Sequence, residues 1–416
     1  EQARIKAEER ARQEAEQAAA AAAAAASEAE AKGLEPPPQT ERPKKTFRGG
    51  ESHQSLSGET IHGSVETASE EEGLSYTINL PRVPTGIYSI LDAEVDPLVT
   101  FVLRWNAPAP QRSSTFRGGA SGSSFFKQDL KHYRVTSEIQ HYSTKSVALV
   151  KLRPGDEKTV RQLPTLILER VKDINELTRA TIDITIERQK DLESPDWILE
   201  AHASAPIWLL AKSSAPQAVR DPKSGEWNDL TRYMGAFVTP NTPEVIRFLR
   251  TAVDYHPNKR LDGYQSPVRA QVEAIYNALK KRGISYVDSV IDFNPSQNTQ
   301  SQRVRLPSES LEHCLANCID GVVLFASLMQ GISVNPCIVV LPRHAIVGWE
   351  TGPQNDQWEY LETTMLSTHE FEQALDVGNR RVQAYQQRFE QTQDPAWYRR
   401  WSLRDLRTQY GIMPMG

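Results

Sequence analysis

His313–Leu328 reads HCLANCIDGVVLFASL; LPRHAIVGWE follows at Leu341–Glu350 and WEYLETT at Trp358–Thr364. Together they set a cysteine, a histidine and a carboxylate in chain order: Cys318, His344 and Glu362. A thiol becomes a nucleophile when it can ionise, when a base stands beside it, and when a third group orients that base. Asn317 is a good N-cap, and Ile319, Val322, Val323, Phe325, Ala326 and Met329 recur at helical spacing. This places Cys318 in the first turn of a buried helix, where the helix dipole favours thiolate. Pro336 and the run Cys337–Leu341 read as a strand, Pro342-Arg343 as a turn, and Ala345–Trp349 as a second strand, with His344 at the mouth of the hairpin. A third strand, Trp358–Leu361, ends at Glu362, whose carboxylate is expected to accept the proton on the far imidazole nitrogen. The three residues therefore read as a catalytic triad.

The segment from Gln302 to Glu350, together with Glu362-Thr363-Thr364, resembles the bacterial transglutaminase-like cysteine peptidase family, whose core is papain-like. The matching motifs are Cys-x-Asp-Gly at Cys318–Gly321, Pro-x-His-Ala at Pro342–Ala345, and acid-Thr-Thr at Glu362–Thr364. The resemblance covers roughly residues 264–375. The chain departs from the family at two places. Glu362 stands where Asp is common, and Arg343 stands where a glycine often precedes the histidine. The resemblance also implies an oxyanion donor, for which Gln302 is the candidate; a plain surface-loop glutamine is an equal alternative. No cofactor and no metal are implied. A metal reading of His313, Cys314 and Cys318 lacks a second paired ligand set, and Cys314 and Cys337 read as core cysteines.

A triad of this kind attacks an amide and forms an acyl-enzyme, and the acceptor then decides the activity. Water gives a cysteine peptidase acting on a protein substrate, which is the leading expectation. A lysine amine gives a transglutaminase. A scaffold that keeps the fold without the chemistry is the third alternative, and it predicts that Cys318→Ala changes nothing.

The chain has 416 residues, is 39% hydrophobic and carries a net charge of −5. That allows two globular domains and an extension, in an α+β class. Basic clusters such as Lys280-Lys281-Arg282 and Arg399-Arg400 read as solvated helix faces, so nucleic acid is not an expected partner. Three cysteines make no disulfide framework, and a working thiol needs a reducing setting, so the cytoplasm is the expected location. The alanine run Ala18–Ala26 is too short to cross a membrane. The chain begins at Glu1 rather than Met, which leaves room for an anchor or domain upstream.

Residues 1–32 mix charge with alanine, as in an exposed single helix, and 33–73 read as a disordered linker opened by Gly33 and Pro36–Pro38. This extension, or the domain after it, is where a protein partner would bind. Residues 74–215 carry seven strand-like runs (SYTINL, LVTFVLRW, HYRVTSEIQHY, SVALVKL, PTLILERV, ATIDITIE, PIWLLA) and read as a β-sandwich with a loop at 112–124. Residues 216–416 form the expected catalytic domain. There Thr242-Pro243 starts a helix with Val245, Ile246, Leu249 and Val253 inward, and a second helix runs from Ser266 to Arg282 before Gly283. Trp227, Tyr233 and Phe237 are expected to fill the joint between domains. Trp397, Trp401, Leu403 and Leu406 suggest a C-terminal helix that either completes the core or covers the site.

Overall fold

The structure is a computed structural model that describes residues 59–66, 73–80, 82–106, 130–191, 194–220, 226–287 and 299–415. The chain divides by contacts into Glu1–His53 and Gln54–Gly416, and every described residue belongs to the second unit. The expected N-terminal helix at 1–32 and the loop at 112–124 lie outside the described residues. The class is α+β.

Eight antiparallel strands build two four-stranded sheets. They are β1 (Glu59–Glu66), β2 (Gly73–Leu80), β3 (Val99–Asn106), β4 (Lys131–Ile139), β5 (Ser146–Leu152), β6 (Glu157–Gln162), β7 (Thr178–Gln189) and β8 (Trp197–Leu209). One sheet has the order β1-β2-β3-β6 and the other β5-β4-β7-β8. Ile78, Phe101 and Leu103 from the first share a core with Tyr133, Val135, Ile182 and Ile184 from the second. Along β7, Ile182, Ile184 and Ile186 are buried while Thr181, Asp183, Thr185 and Glu187 are not, as the alternation requires.

Two expectations change here. The linker drawn to residue 73 is shorter, because Glu59–Glu66 pairs with β2 in full register from Glu59↔Leu80 to Glu66↔Gly73. Its β-branched Thr60, Ile61 and Val65 suit an edge strand despite the Gly and Ser around them. PTLILERV is not a strand: Leu168–Val171 is a single helical turn, α1, and Leu166 makes only one bridge, to Ser143. The edge position falls to the polar EKTVRQ of β6, which is mostly exposed until Gln162.

The second half opens with β9 (Ser214–Arg220), flanked by β10 (Trp227–Asp229) and by β12 (Thr299–Arg303). Helices α2 (Pro243–Ala252), α3 (Val268–Arg282) and α4 (Pro307–His313) surround α5 (Cys318–Gly331). β11 (Ser285–Tyr286) and β13 (Leu315–Ala316) form a short parallel pair. In α2 Val245, Phe248 and Ala252 are buried and Leu249 packs against the same core, whereas Ile246, expected inward, is exposed. In α3 Val268, Val272, Ile275, Tyr276 and Leu279 are buried, and Gly283 closes that helix at φ 85°. Tyr233 and Phe237 are buried, and the Tyr233 hydroxyl donates to Asp96 across the joint, whereas Trp227 is exposed.

A four-stranded antiparallel sheet carries the site. Its order is β16 (Trp358–Leu361), β15 (His344–Glu350), β14 (Pro336–Leu341) and β17 (Arg399–Ser402). Ile338, Ala345, Val347 and Trp349 face the core that contains α5, while Cys337, Val339, Leu341 and Ile346 face the opposite side with Val382 of α6 (Phe371–Thr392). A sheet covered on both faces explains why both strands read as continuous apolar runs. The C-terminal segment adds β17 to the edge beyond β14, and α7 (Leu403–Thr408) buries Leu403 and Leu406. The tail therefore completes the core.

Candidate active site

Asn317 caps α5 with a reciprocal pair of bonds. Its side-chain oxygen accepts from the Asp320 N–H at 2.9 Å, and the Asp320 carboxylate accepts from the Asn317 N–H at 3.0 Å. Cys318 is the first helical residue and is partly exposed, so the thiol can meet a substrate while Ile319, Val322 and Phe325 anchor the helix. The Cys318 N–H has no intrahelical acceptor and is one of the donors a helix start offers.

Asp320 is fully buried and also accepts the Arg305 backbone N–H at 2.8 Å and its guanidinium at 2.6 Å. Burial pushes its carboxyl up, against the pull of those bonds. Gly321 fixes the opposite flank. A Cβ there would fall 2.7 Å from the Thr363 hydroxyl oxygen, which itself donates to the Cys318 carbonyl at 3.4 Å. Gly321 and Thr363, the first Thr after Glu362, are therefore one contact seen from both sides.

His344 starts β15 opposite Leu341, with Pro342 and Arg343 forming the two-residue turn. Arg343 has φ 59°, the left-handed conformation that favours glycine, and its side chain is exposed. The Nε2–H of His344 donates to Glu362 Oε2 at 2.8 Å, which leaves Nδ1 for Cys318, a hydrogen-bonding and electrostatic neighbour of the ring. Burial by itself lowers the imidazole pKa. The bonds to Cys318 and Glu362, with their charges, outweigh it and raise the pKa to about 9. His344 thus holds its proton at neutral pH.

Glu362 is 2% exposed, yet every carboxylate oxygen has a donor. Oε1 takes the Thr364 hydroxyl at 2.7 Å and its N–H at 3.3 Å; Oε2 takes His344 and also the Arg381 guanidinium at 2.7 Å. Burial pushes the carboxyl up, but His344, Arg381 and Thr364 together hold it below its ordinary value.

Arg381 comes from α6 and is the functional residue that the sequence reading missed. Gly378 lets that helix reach the site: a Cβ there would collide with the Tyr360 carbonyl oxygen. The next residue, Asn379, accepts the Tyr360 N–H at 2.9 Å, and the Glu362 N–H donates to the Ala374 carbonyl at 3.1 Å. The local signal was Gly378-Asn379-Arg380-Arg381, a glycine inside an otherwise long polar helix, which marks a close approach. Gly378→Ala is expected to lift α6 from β16 and destabilise the fold by about 1–3 kcal/mol. Urea unfolding checks this, and unchanged stability would mean that the helix has room to spare.

Gln302 is not bonded to the triad. It lies on β12, and its side-chain oxygen accepts from Gln217 Nε2 at 2.7 Å. The chain leaving β12 nevertheless leads to Arg305, which is tied to Asp320 in the first turn of α5. Cys337 is fully buried, its thiol pushed up to about 12 by burial. Cys314 closes α4 at φ 56° and packs against the core while remaining partly exposed, at its margin rather than within it. A cleft of about 400 Å³ lies against the start of α5, lined by Lys212, Arg303, Arg305, Asn317 and Asp320 together with Glu176 from the sandwich side. Among the described residues no group of three or more His, Cys, Asp or Glu could hold a metal ion, and no helix is long and apolar enough to cross a membrane. In comparisons with known proteins, no family model matches this chain and no curated protein matches it.

Proposed function

We propose that this chain is a thiol-dependent amide hydrolase, a cysteine peptidase of transglutaminase-like kind that acts on a protein substrate in a reducing compartment. The supporting observation is one chain of contacts, in which a partly exposed Cys318 at a helix start neighbours an imidazole whose other nitrogen is held by a buried carboxylate. Free cysteines throughout the described residues suit a reducing setting such as the cytoplasm.

In the reaction, the Cys318 sulfur attacks the amide carbon while the Cys318 N–H faces the developing oxyanion. As the C–N bond breaks, His344 gives its proton to the departing amine, leaving a thioester. His344, now neutral, takes a proton from water, whose oxygen attacks the thioester. The acid departs and the sulfur and imidazole return to their starting charges. Glu362 stays ionised and keeps Nε2 engaged, so that Nδ1 points at sulfur throughout.

Water and amines compete for the same thioester. Incubating a test protein with the full chain and an added primary amine, followed by mass spectrometry, separates the outcomes. New chain termini that vanish with Cys318→Ala are expected. Amine adducts without cleavage would replace the peptidase reading with transglutamination.

A further inference from the structure

We infer that Arg381 is the counter-charge of the site: a positioning residue that lets the Cys318–His344 pair exist as thiolate and imidazolium beside an ionised Glu362. This deepens the peptidase reading and rests on it.

Glu362 and a Cys318 thiolate each contribute a negative charge, and the His344 imidazolium cancels only one of them. Glu362 is almost wholly buried and the His344 side chain is 19% exposed, so little water is present to screen the remaining negative charge. The Arg381 guanidinium, 2.7 Å from the same Oε2 that His344 uses, brings the four groups to neutrality. Its side chain is 28% exposed, so it forms the outer wall of the site while its charge points inward.

The surrounding groups leave this task to Arg381. On α5, Asp320 is already paired with Arg305 at 2.6 Å. In the hairpin turn Arg343 is exposed to solvent. From the turn after β16, Thr364 supplies hydrogen bonds but no charge. On α6 the neighbouring Arg380 pairs with Asp376 at 2.7 Å and is mostly exposed. The length of the acid fits the same logic. A glutamate side chain starting at the end of β16 presents one oxygen to both cations and the other to Thr364.

A purely structural Arg381 would matter for packing alone, whereas a counter-charge must change how Cys318 reacts with pH. The test is iodoacetamide alkylation of Cys318 in the full chain between pH 5 and 9, read by peptide mass spectrometry, with Cys314 as the internal reference. Arg381→Met keeps the length of the side chain and removes the charge. It is expected to move the acid limb of the profile up by about one pH unit, a roughly tenfold slowing below it. Arg381→Lys restores the charge and is expected to stay within about threefold of the original. An unmoved profile in Arg381→Met, or equal slowing in both variants, overturns the assignment. Should Arg381→Met not fold, Arg381→Lys carries the test alone, since a profile displaced by more than about half a unit would tie the effect to guanidinium shape. If Cys318 in the unaltered chain reacts no faster than Cys314, the peptidase reading fails and this inference with it. A fast Cys318 whose profile ignores Arg381 removes the inference alone.

Discussion

Replacing His344 by Ala is expected to slow alkylation of Cys318 at pH 7 by about two orders of magnitude, the usual scale for losing a positioned base. Hydrolysis of a protein substrate should fall further, by about 10⁴-fold, in both Cys318→Ala and His344→Ala, because nucleophile and base act as one unit. The two variants combined should be no worse than either alone. Glu362→Gln gives a finer reading. Gln can still accept from Nε2–H, but it offers Arg381 and His344 no negative charge, so the imidazole loses one of the two partners, Cys318 and Glu362, that together raise its pKa to about 9. The base then spends more time neutral, and alkylation should slow by an amount between those of the unaltered chain and His344→Ala. The core around α5 should be undisturbed by Cys318→Ala, since the helix is anchored by Ile319, Val322 and Phe325. A loss of activity with an unchanged unfolding midpoint is therefore the expected signature. If Cys318→Ala and His344→Ala leave every amide-cleaving activity intact, the triad is scaffold.

How much of this was legible from the sequence depends on whether a residue's job is local or tertiary. The start of α5 was readable because Asn317, Asp320 and the apolar run are neighbours along the chain, and the capping box they form is local chemistry. The hairpin that presents His344 was readable for the same reason, since Pro342 at the turn fixes its place between two apolar strands. The edge strands β1 and β6 were not: an edge buries few side chains, and EKTVRQ shows no clear alternation to betray it. PTLILERV misled because a short apolar run has no period of its own. Arg381 was invisible for a deeper reason. The i,i+4 spacing from Asp376 marks Arg380 as a surface partner, but nothing along the chain sends Arg381 to Glu362; the crossing of α6 over β16 at Gly378 decides it. The proposed likeness to transglutaminase-like peptidases rests on the motifs at Cys318–Gly321, Pro342–Ala345 and Glu362–Thr364.

The second large effect expected is on stability, and its sign follows from His344. The imidazole rises from its ordinary 6.5 to about 9 in the folded chain, so the folded state binds that proton more tightly than the unfolded one. The resulting stability is fully present below pH 6.5 and is lost as pH rises through about 9. A rise of that size in a group this well buried corresponds to at most about 3 kcal/mol. Urea unfolding of the unaltered chain and of His344→Gln at half-unit steps from pH 6 to 9.5 isolates the contribution, because other titrations largely cancel in the difference. Cys337 is one of these. Its thiol, pushed up to about 12 by burial, destabilises the fold only above the ordinary thiol range, and does so in both proteins. Glu362, held low, acts at the opposite end, where its stabilisation fades as pH falls through its folded value. The advantage of the unaltered chain over His344→Gln should therefore be largest near pH 6 and close to gone by pH 9.5; parallel curves would mean that His344 is not bound to Glu362 and Cys318 in solution. In the proposed reaction the same proton is delivered to the departing amine, so the alkaline limb of hydrolysis should lie near the folded-state value of about 9, at the upper end of the range over which the stability is lost. A hydrolysis rate that falls well below that pH, while the stability difference still tapers towards 9, would mean that another group supplies the proton.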